Sequence, residues 1–437
     1  MVENLSEVEV PDNVKWDTRK QILAAWGGWL LDGYSTIAYL VVIFILAASM
    51  FPSSLGIWTL ILTLGGVSLG AAARVAGSTV LGNYIGDKIG RKSLLTWSIV
   101  GFSVFTASIG LVPSYDSIGL FSPVLVYIVV IFAGVFAGAE YGGGASLAME
   151  SVPKEKRNIV GAFVQSGFGT GYFLVVLVAL SLESFFGQAN YDAYGWRWVF
   201  IIALIPGLLT LLIRYISHES PVFEEMHRKK EITRTPAKDM LKQRTFLLPA
   251  ILMMTGLLFI NQATFSFYPV LTGFVGITGN NYFYALLTIN FISLIGVWTG
   301  GILFSNNLRR RNVMMILGVI FTVPSALYVY LGYSTSFVQF TVVFSIQAFF
   351  EAMMFSLLPA FLSLNFSKRS RSTAVGVSYN SGAVVGGLAV VILTLQKHVM
   401  DLKLAWSLDL YIAGIAMLLG LYFSVDRSTQ KEDSINE

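Results

Sequence analysis

The chain has 437 residues, of which 55% are apolar and 12% charged. Soluble globular domains carry about twice that share of charge, so the ordinary soluble classes are excluded and the composition reads as a membrane protein. With no cysteine, disulfides, thiolate metal sites and thiol nucleophiles are excluded; a net charge of +4 gives no footprint for a nucleic-acid partner.

A spanning helix needs roughly 20 apolar residues. In chain order such stretches fall near 21–50, 57–82, 93–113, 122–150, 159–185 and 196–216, then near 246–273, 282–304, 313–333, 337–366, 373–396 and 403–425. Residues 1–20 are polar and acidic, so the first stretch is expected to be a span and not a cleaved leader. Basic residues collect on the cytoplasmic side of a membrane. With the N-terminus placed there, and Arg214 counted at the end of its span, every Lys and Arg except Arg74, Arg197, Lys397 and Lys403 falls on that side. The expectation is an all-α membrane protein with 12 transmembrane helices as two pseudo-symmetric six-helix bundles. Its parts are a cytoplasmic N-terminal tail (1–20), a first bundle (21–216), a cytoplasmic linker of mixed charge (217–245), a second bundle (246–425) and a cytoplasmic tail (426–437). A monomer in the cell membrane, with the lipid bilayer as its surroundings, is expected.

A repeat relates the halves. Gly77, Gly82 and Asp87 recur as Gly296, Gly301 and Asn306 at an offset of 219, and Val160, Gly161, Gly167 and Gly171 recur as Val375, Gly376, Gly382 and Gly386 at an offset of 215. Glu140 has a near counterpart in Glu351. Paired halves of this kind enclose a central site in many transporters, which work by rocking one half against the other.

Between the second and third spans stands Gly86-Asp87-Lys88-Ile89-Gly90-Arg91-Lys92, a short turn in which Gly90 permits a tight reversal. It resembles the loop signature of the major facilitator superfamily, and the resemblance implies a charge latch in which Asp87 and Arg91 hold the cytoplasmic side closed. Gly82 stands five residues before Asp87 where the signature has four, as if one residue had been inserted near Asn83. The matching turn in the second half, Ser305 to Arg311, has no acid. After the fourth span, Glu150 and Arg157 stand seven apart across a turn and are expected to pair as part of the same gate. Together with Gly138 to Gly144, Gly195-Trp196-Arg197, Glu219-Ser220-Pro221 and Arg74 in the second span, these stretches look like the metabolite:proton symporter branch, related to sugar porters. That resemblance implies proton-coupled symport of a small metabolite; no cofactor is expected.

Four charges lie deep within spans: Asp32, Arg74, Glu140 and Glu351. An ionised group there costs at least ~2.5 kcal/mol unless paired or hydrated. Counting about 1.5 Å per helical residue, Asp32, Arg74 and Glu140 share one depth. One cation facing two acids would leave a carboxylate unpaired and free to exchange a proton, so Asp32 and Glu140, with Glu351 as the second-half runner-up, are the expected proton-coupling groups. Arg74 is the expected anion contact. Gln165, Asn261, Gln262, Asn290, Gln347 and Asn380 are polar within spans and are candidates for the substrate wall or for bonds between helices. Tyr268-Pro269 suggests a broken helix end, a common gate element.

The leading reading is a secondary active transporter, proton-coupled, of a small polar metabolite such as a carboxylate or sugar. A facilitative uniporter is its alternative. A polytopic membrane enzyme would need a catalytic constellation, and His218, His227 and His398 have no metal-ligand spacing. A substrate sensor would bind without flux.

Overall fold

The structure is a computed structural model that describes residues 12–424 except 231, 233, 234 and 308. The expected tails, apart from residues 12–20, lie outside the described residues. Twelve long helical segments succeed one another: α1 (Thr18–Val41, continued as Ile43–Met50 after a bend of 63°), α2 (Ile57–Leu81), α3 (Arg91–Ile109), α4 (Phe121–Glu150), α5 (Lys154–Phe186) and α6 (Arg197–Tyr215). The second series is α7 (Arg244–Val275), α8 (Asn280–Leu303), α9 (Arg310–Gly332), α10 (Phe337–Asn365), α11 (Lys368–Val399) and α12 (Leu402–Phe423). Among the described residues eleven helices are long and apolar enough to cross a membrane, and the bent pair of α1, taken as one span, makes a twelfth. Their outward faces carry large exposed apolar side chains, among them Leu208, Leu212, Ile316, Ile412 and Ile415, as a surface solvated by lipid requires.

Both series pack alike. α1 lies on α5 as α7 lies on α11, and α2 lies on α4 as α8 lies on α10. Small residues let these backbones approach. A Cβ built on Gly138 would lie 2.0 Å from the Arg74 carbonyl, and one on Gly296 would lie 2.3 Å from the Phe349 carbonyl. The first series meets the second mainly through α2 and α4 against α11 and through α5 against α8.

Two breaks in helical regularity stand beside polar side chains. The extra residue before Asp87 is absorbed as a π-helical turn, Gly82–Gly86, in which the Asp87 N–H reaches the Gly82 carbonyl at 3.0 Å. A π-bulge is the ordinary way a helix accepts a one-residue insertion; here Asp87 still arrives at the interface between the two series. In α7 the regular helix stops at Thr264 and resumes at Tyr268, as Pro269, lacking an N–H, suggested.

Candidate functional site

Arg74 of α2 and Asp32 of α1 form a two-pronged ion pair in the wall of a cavity between the two helix series. Arg74 Nη1 donates to Asp32 Oδ2 at 2.8 Å and Nη2 to Oδ1, while Nη2 also reaches Thr36 Oγ1 at 3.0 Å. A planar guanidinium matches both carboxylate oxygens, the strong geometry for such a pair. Asp32 is wholly buried, whereas 14% of the Arg74 side chain is exposed. The cavity is partly open and spans ≈ 830 Å³, open space included. Its wall adds Tyr39 and Phe102 from the first series, and Asn261 and Gln262 from α7. A second, partly open chamber spanning ≈ 490 Å³, open space included, shares Phe168, Asn261 and Tyr379 with the first, and its largely apolar wall carries the neutral polar groups Gln165, Asn290 and Ser293. Asn290 also crosses the interface, its Nδ2 donating to the Gly169 carbonyl at 2.7 Å.

Glu140 does not join Arg74. It pairs with Arg214 of α6, and Ser98 Oγ donates to its Oε2 at 2.6 Å. Gly28 makes the room, because a Cβ there would lie 1.7 Å from Glu140 Oε1 and 2.3 Å from Arg214 Nη2. The expected imbalance of one cation against two acids is therefore corrected: Arg214, counted as a helix-end residue, turns inward and is 1% exposed, and each acid has its own cation. In α10, Glu351 Oε2 lies 2.7 Å from Thr264 Oγ1, and its Oε1 accepts from Asn261 Nδ2 at 3.2 Å.

The remaining two amides stand outside both chamber walls. Gln347 accepts from the Tyr268 hydroxyl at 3.0 Å. Asn380 donates to the carbonyls of Gly138 and Gly376, both at 2.8 Å, tying α11 to α4.

At the basic end the series are held together around Asp87. Arg91 Nη1 lies 3.0 Å from Asp87, which also accepts from the Thr373 N–H at 2.9 Å, the Thr373 hydroxyl at 2.5 Å and the Ser372 N–H at 3.3 Å across the interface. Arg91 donates onward to the Lys368 carbonyl at 3.1 Å. Glu150 receives Arg371 Nη1 at 3.0 Å, the Ser220 hydroxyl, and Arg91 Nε at 3.7 Å. Glu150, expected to pair with Arg157, thus reaches the second series through Arg371, while the turn at 151–153 brings Arg157 Nε back to the Met149 carbonyl at 3.2 Å. Gly90 has φ +147°, a conformation L side chains rarely adopt, and a Cβ there would lie 2.1 Å from Glu219. Glu219 caps α3, accepting from the N–H groups of Arg91 at 2.9 Å and Lys92 at 3.1 Å. Burial pushes the Glu219 carboxyl up from the ordinary carboxylate range, and those N–H groups, with Ser220 and Arg91, pull against it. A second cross-interface contact joins Asn158 to the turn after α8: its Nδ2 donates to the Phe304 and Asn307 carbonyls at 2.8 and 2.9 Å, and its Oδ1 accepts from Arg310 Nε at 2.6 Å.

The sequence matches the profile of the Major Facilitator Superfamily over residues 38–390 and, overlapping, 299–437. The chain belongs to that superfamily. It is 29% identical to the inner membrane metabolite transport protein YhjE of Escherichia coli (strain K12), over 74% of this chain and 75% of that one. It is 26% identical to the proline/betaine transporter of the same organism, over 98% of this chain and 86% of that one. Among solved structures it is similar to the proton:xylose symporter XylE, with a TM-score of 0.72, 17% identity and coverage of 94% and 95%. A partially occluded inward-open form of XylE from E. coli matches at a TM-score of 0.72, with 18% identity and coverage of 93% and 96%. Membership makes the protein a multi-pass secondary transporter and not an enzyme.

Within this superfamily fold, sequence reasoning overlooked Arg214, Asn158, Arg371 and Thr373. The repeat held a signal for two of them: the 215 offset sets Asn158 opposite Thr373, and the 219 offset sets Arg310 opposite Arg91.

Proposed function

We propose that the protein is a proton-coupled symporter of a small polar solute bearing a carboxylate, working by alternating access with the Asp87 cluster at the cytoplasmic end. The observation that carries this reading is the Asp32–Arg74 pair in the cavity wall. A proton delivered to Asp32 removes one partner of Arg74, and the freed guanidinium is then available to a solute carboxylate. Loss of the proton restores the pair and expels the anion. Solute and proton thus bind together, which is what symport requires. Asp32 is favoured over Glu140 as the coupling acid because Glu140 is committed to Arg214 and is absent from the cavity wall. The intact cluster around Asp87 supports a state closed at the cytoplasmic end.

The kinship with a proline/betaine transporter supports a zwitterionic carboxylate over a sugar; the likeness to XylE shows the fold alone. The test is uptake into proteoliposomes with and without an imposed pH gradient, with proline, betaine and xylose as solutes. Accumulation of proline or betaine that depends on an acidic exterior is expected. Accumulation of xylose alone, or flux indifferent to the gradient, overturns the reading.

A further inference from the structure

Glu351 is 0% exposed, and among the described residues no Lys, Arg or His forms an ion pair with it. The groups on neighbouring elements are otherwise engaged or neutral. Tyr268 of α7 bonds Gln347, and Tyr172 of α5 donates to the Phe265 carbonyl at 3.1 Å. Arg310 and Arg311 of α9 bond Asn158 and the Ser424 carbonyl at the basic end. Tyr379 of α11 stands in the cavity wall.

Burial without a counter-ion decides the state of the acid, because nothing charged offsets the loss of water around an ionised carboxylate at this depth. The Thr264 hydroxyl has one hydrogen, yet it lies 2.7 Å from Glu351 Oε2 and 2.8 Å from the Ile260 carbonyl, four residues back in its own helix. The Ile260 carbonyl is served by its own helix ladder in either state, but with Glu351 ionised a charge without a counter-ion stays inside a span. With a proton on Oε2 the same groups stay bonded and no charge is left. The acid donates to Thr264, Thr264 donates to the Ile260 carbonyl, and Asn261 Nδ2 donates to Oε1.

We infer that Glu351 is a resident carboxylic acid, uncharged in this structure, which holds the Asn261 carboxamide with its nitrogen inward and its oxygen toward the wall shared by the two chambers. An acid carbonyl can only accept, so only the amide nitrogen can face it. The chambers therefore meet an acceptor at Asn261, and the first of them also meets Arg74, so the favoured solute carries a hydroxyl or ammonium hydrogen as well as a carboxylate. Glu351 acts through Asn261 and is a positioning residue. The solute preference rests on reading the cavity as the transport site; the protonation of Glu351 does not.

Infrared difference spectroscopy on the purified protein in lipid at pH 7 tests the protonation directly. A carboxylic C=O band is expected in the wild type and lost in Glu351→Gln. The band should persist but shift to higher frequency in Asn261→Ala, where the acid carbonyl loses its donor, and shift again in Thr264→Val, which retains the acid. No carboxylic band at pH 7, or one that survives Glu351→Gln and disappears in Asp32→Asn, overturns the inference. A band unmoved by Asn261→Ala overturns the positioning role. None of these arms needs a transported solute, so they fail independently of the symport reading.

Discussion

In α4, Glu140 meets the Arg214 guanidinium; in α10, its near counterpart Glu351 meets an amide and a hydroxyl. The interface contacts differ in the same sense. Asp87 and Arg91 of the first half hold Thr373 of the second, whereas the returning contact is made by the neutral Asn158, with backbone carbonyls and Arg310. One packing scheme, used twice, is thus sealed by ion pairs in the first half and chiefly by amides and hydroxyls in the second. A buried ion pair is no stronger than its neutral replacement when intact, but it fails more severely when one partner is removed, because a bare charge is left out of water.

The largest effect is expected at the mid-span pair. Arg214→Leu strands the Glu140 carboxylate and should cost about 3–5 kcal/mol of stability, read as a lower Tm in detergent. The double variant Arg214→Leu with Glu140→Leu should regain most of it. If Arg214→Leu melts like the wild type, the first half does not depend on its ion pair in the way described.

At the cavity, Asp32→Asn resembles the protonated acid and should retain solute exchange while losing uphill accumulation on a pH gradient. Arg74→Gln should lose binding of a carboxylate solute altogether. Unchanged accumulation by Asp32→Asn in proteoliposomes would move the coupling proton to another group.

Asp87→Asn takes the charge from Arg91 while leaving an acceptor for Thr373. We expect about 1–3 kcal/mol less stabilisation of the closed basic end, and so a shift toward longer distances between spin labels placed on the turns at 88 and 309, one in each helix series. Distances identical to the wild type would remove Asp87 from the latch.

The smallest effect is expected at Asn158→Ala. Its bonds are to neutral carbonyls and one guanidinium, at a cost of about 1 kcal/mol, so the same labels should shift in the same direction but less. A shift larger than that of Asp87→Asn would reverse the contrast between the halves.

Much of this protein was legible as a linear pattern. Apolar runs of spanning length, the placement of Lys and Arg, and the 219 and 215 offsets depend only on what lipid and a repeated fold demand of successive residues. The Asp87-Gly90-Arg91 turn was legible for the same reason, its residues being neighbours in the chain. Pairings between distant helices were not. Periodicity gives depth along a span but not its rotation, so Asp32 and Glu140 at one height looked like rivals for Arg74. Tertiary packing gave Glu140 a different neighbour in Arg214, through space opened by Gly28. The choice of Arg371 for Glu150 likewise required the second half to be laid against the first. Helix count and repeat are dictated by hydrophobicity acting locally; which charge meets which is set by the faces the helices turn toward one another, and those are fixed only when all twelve pack together.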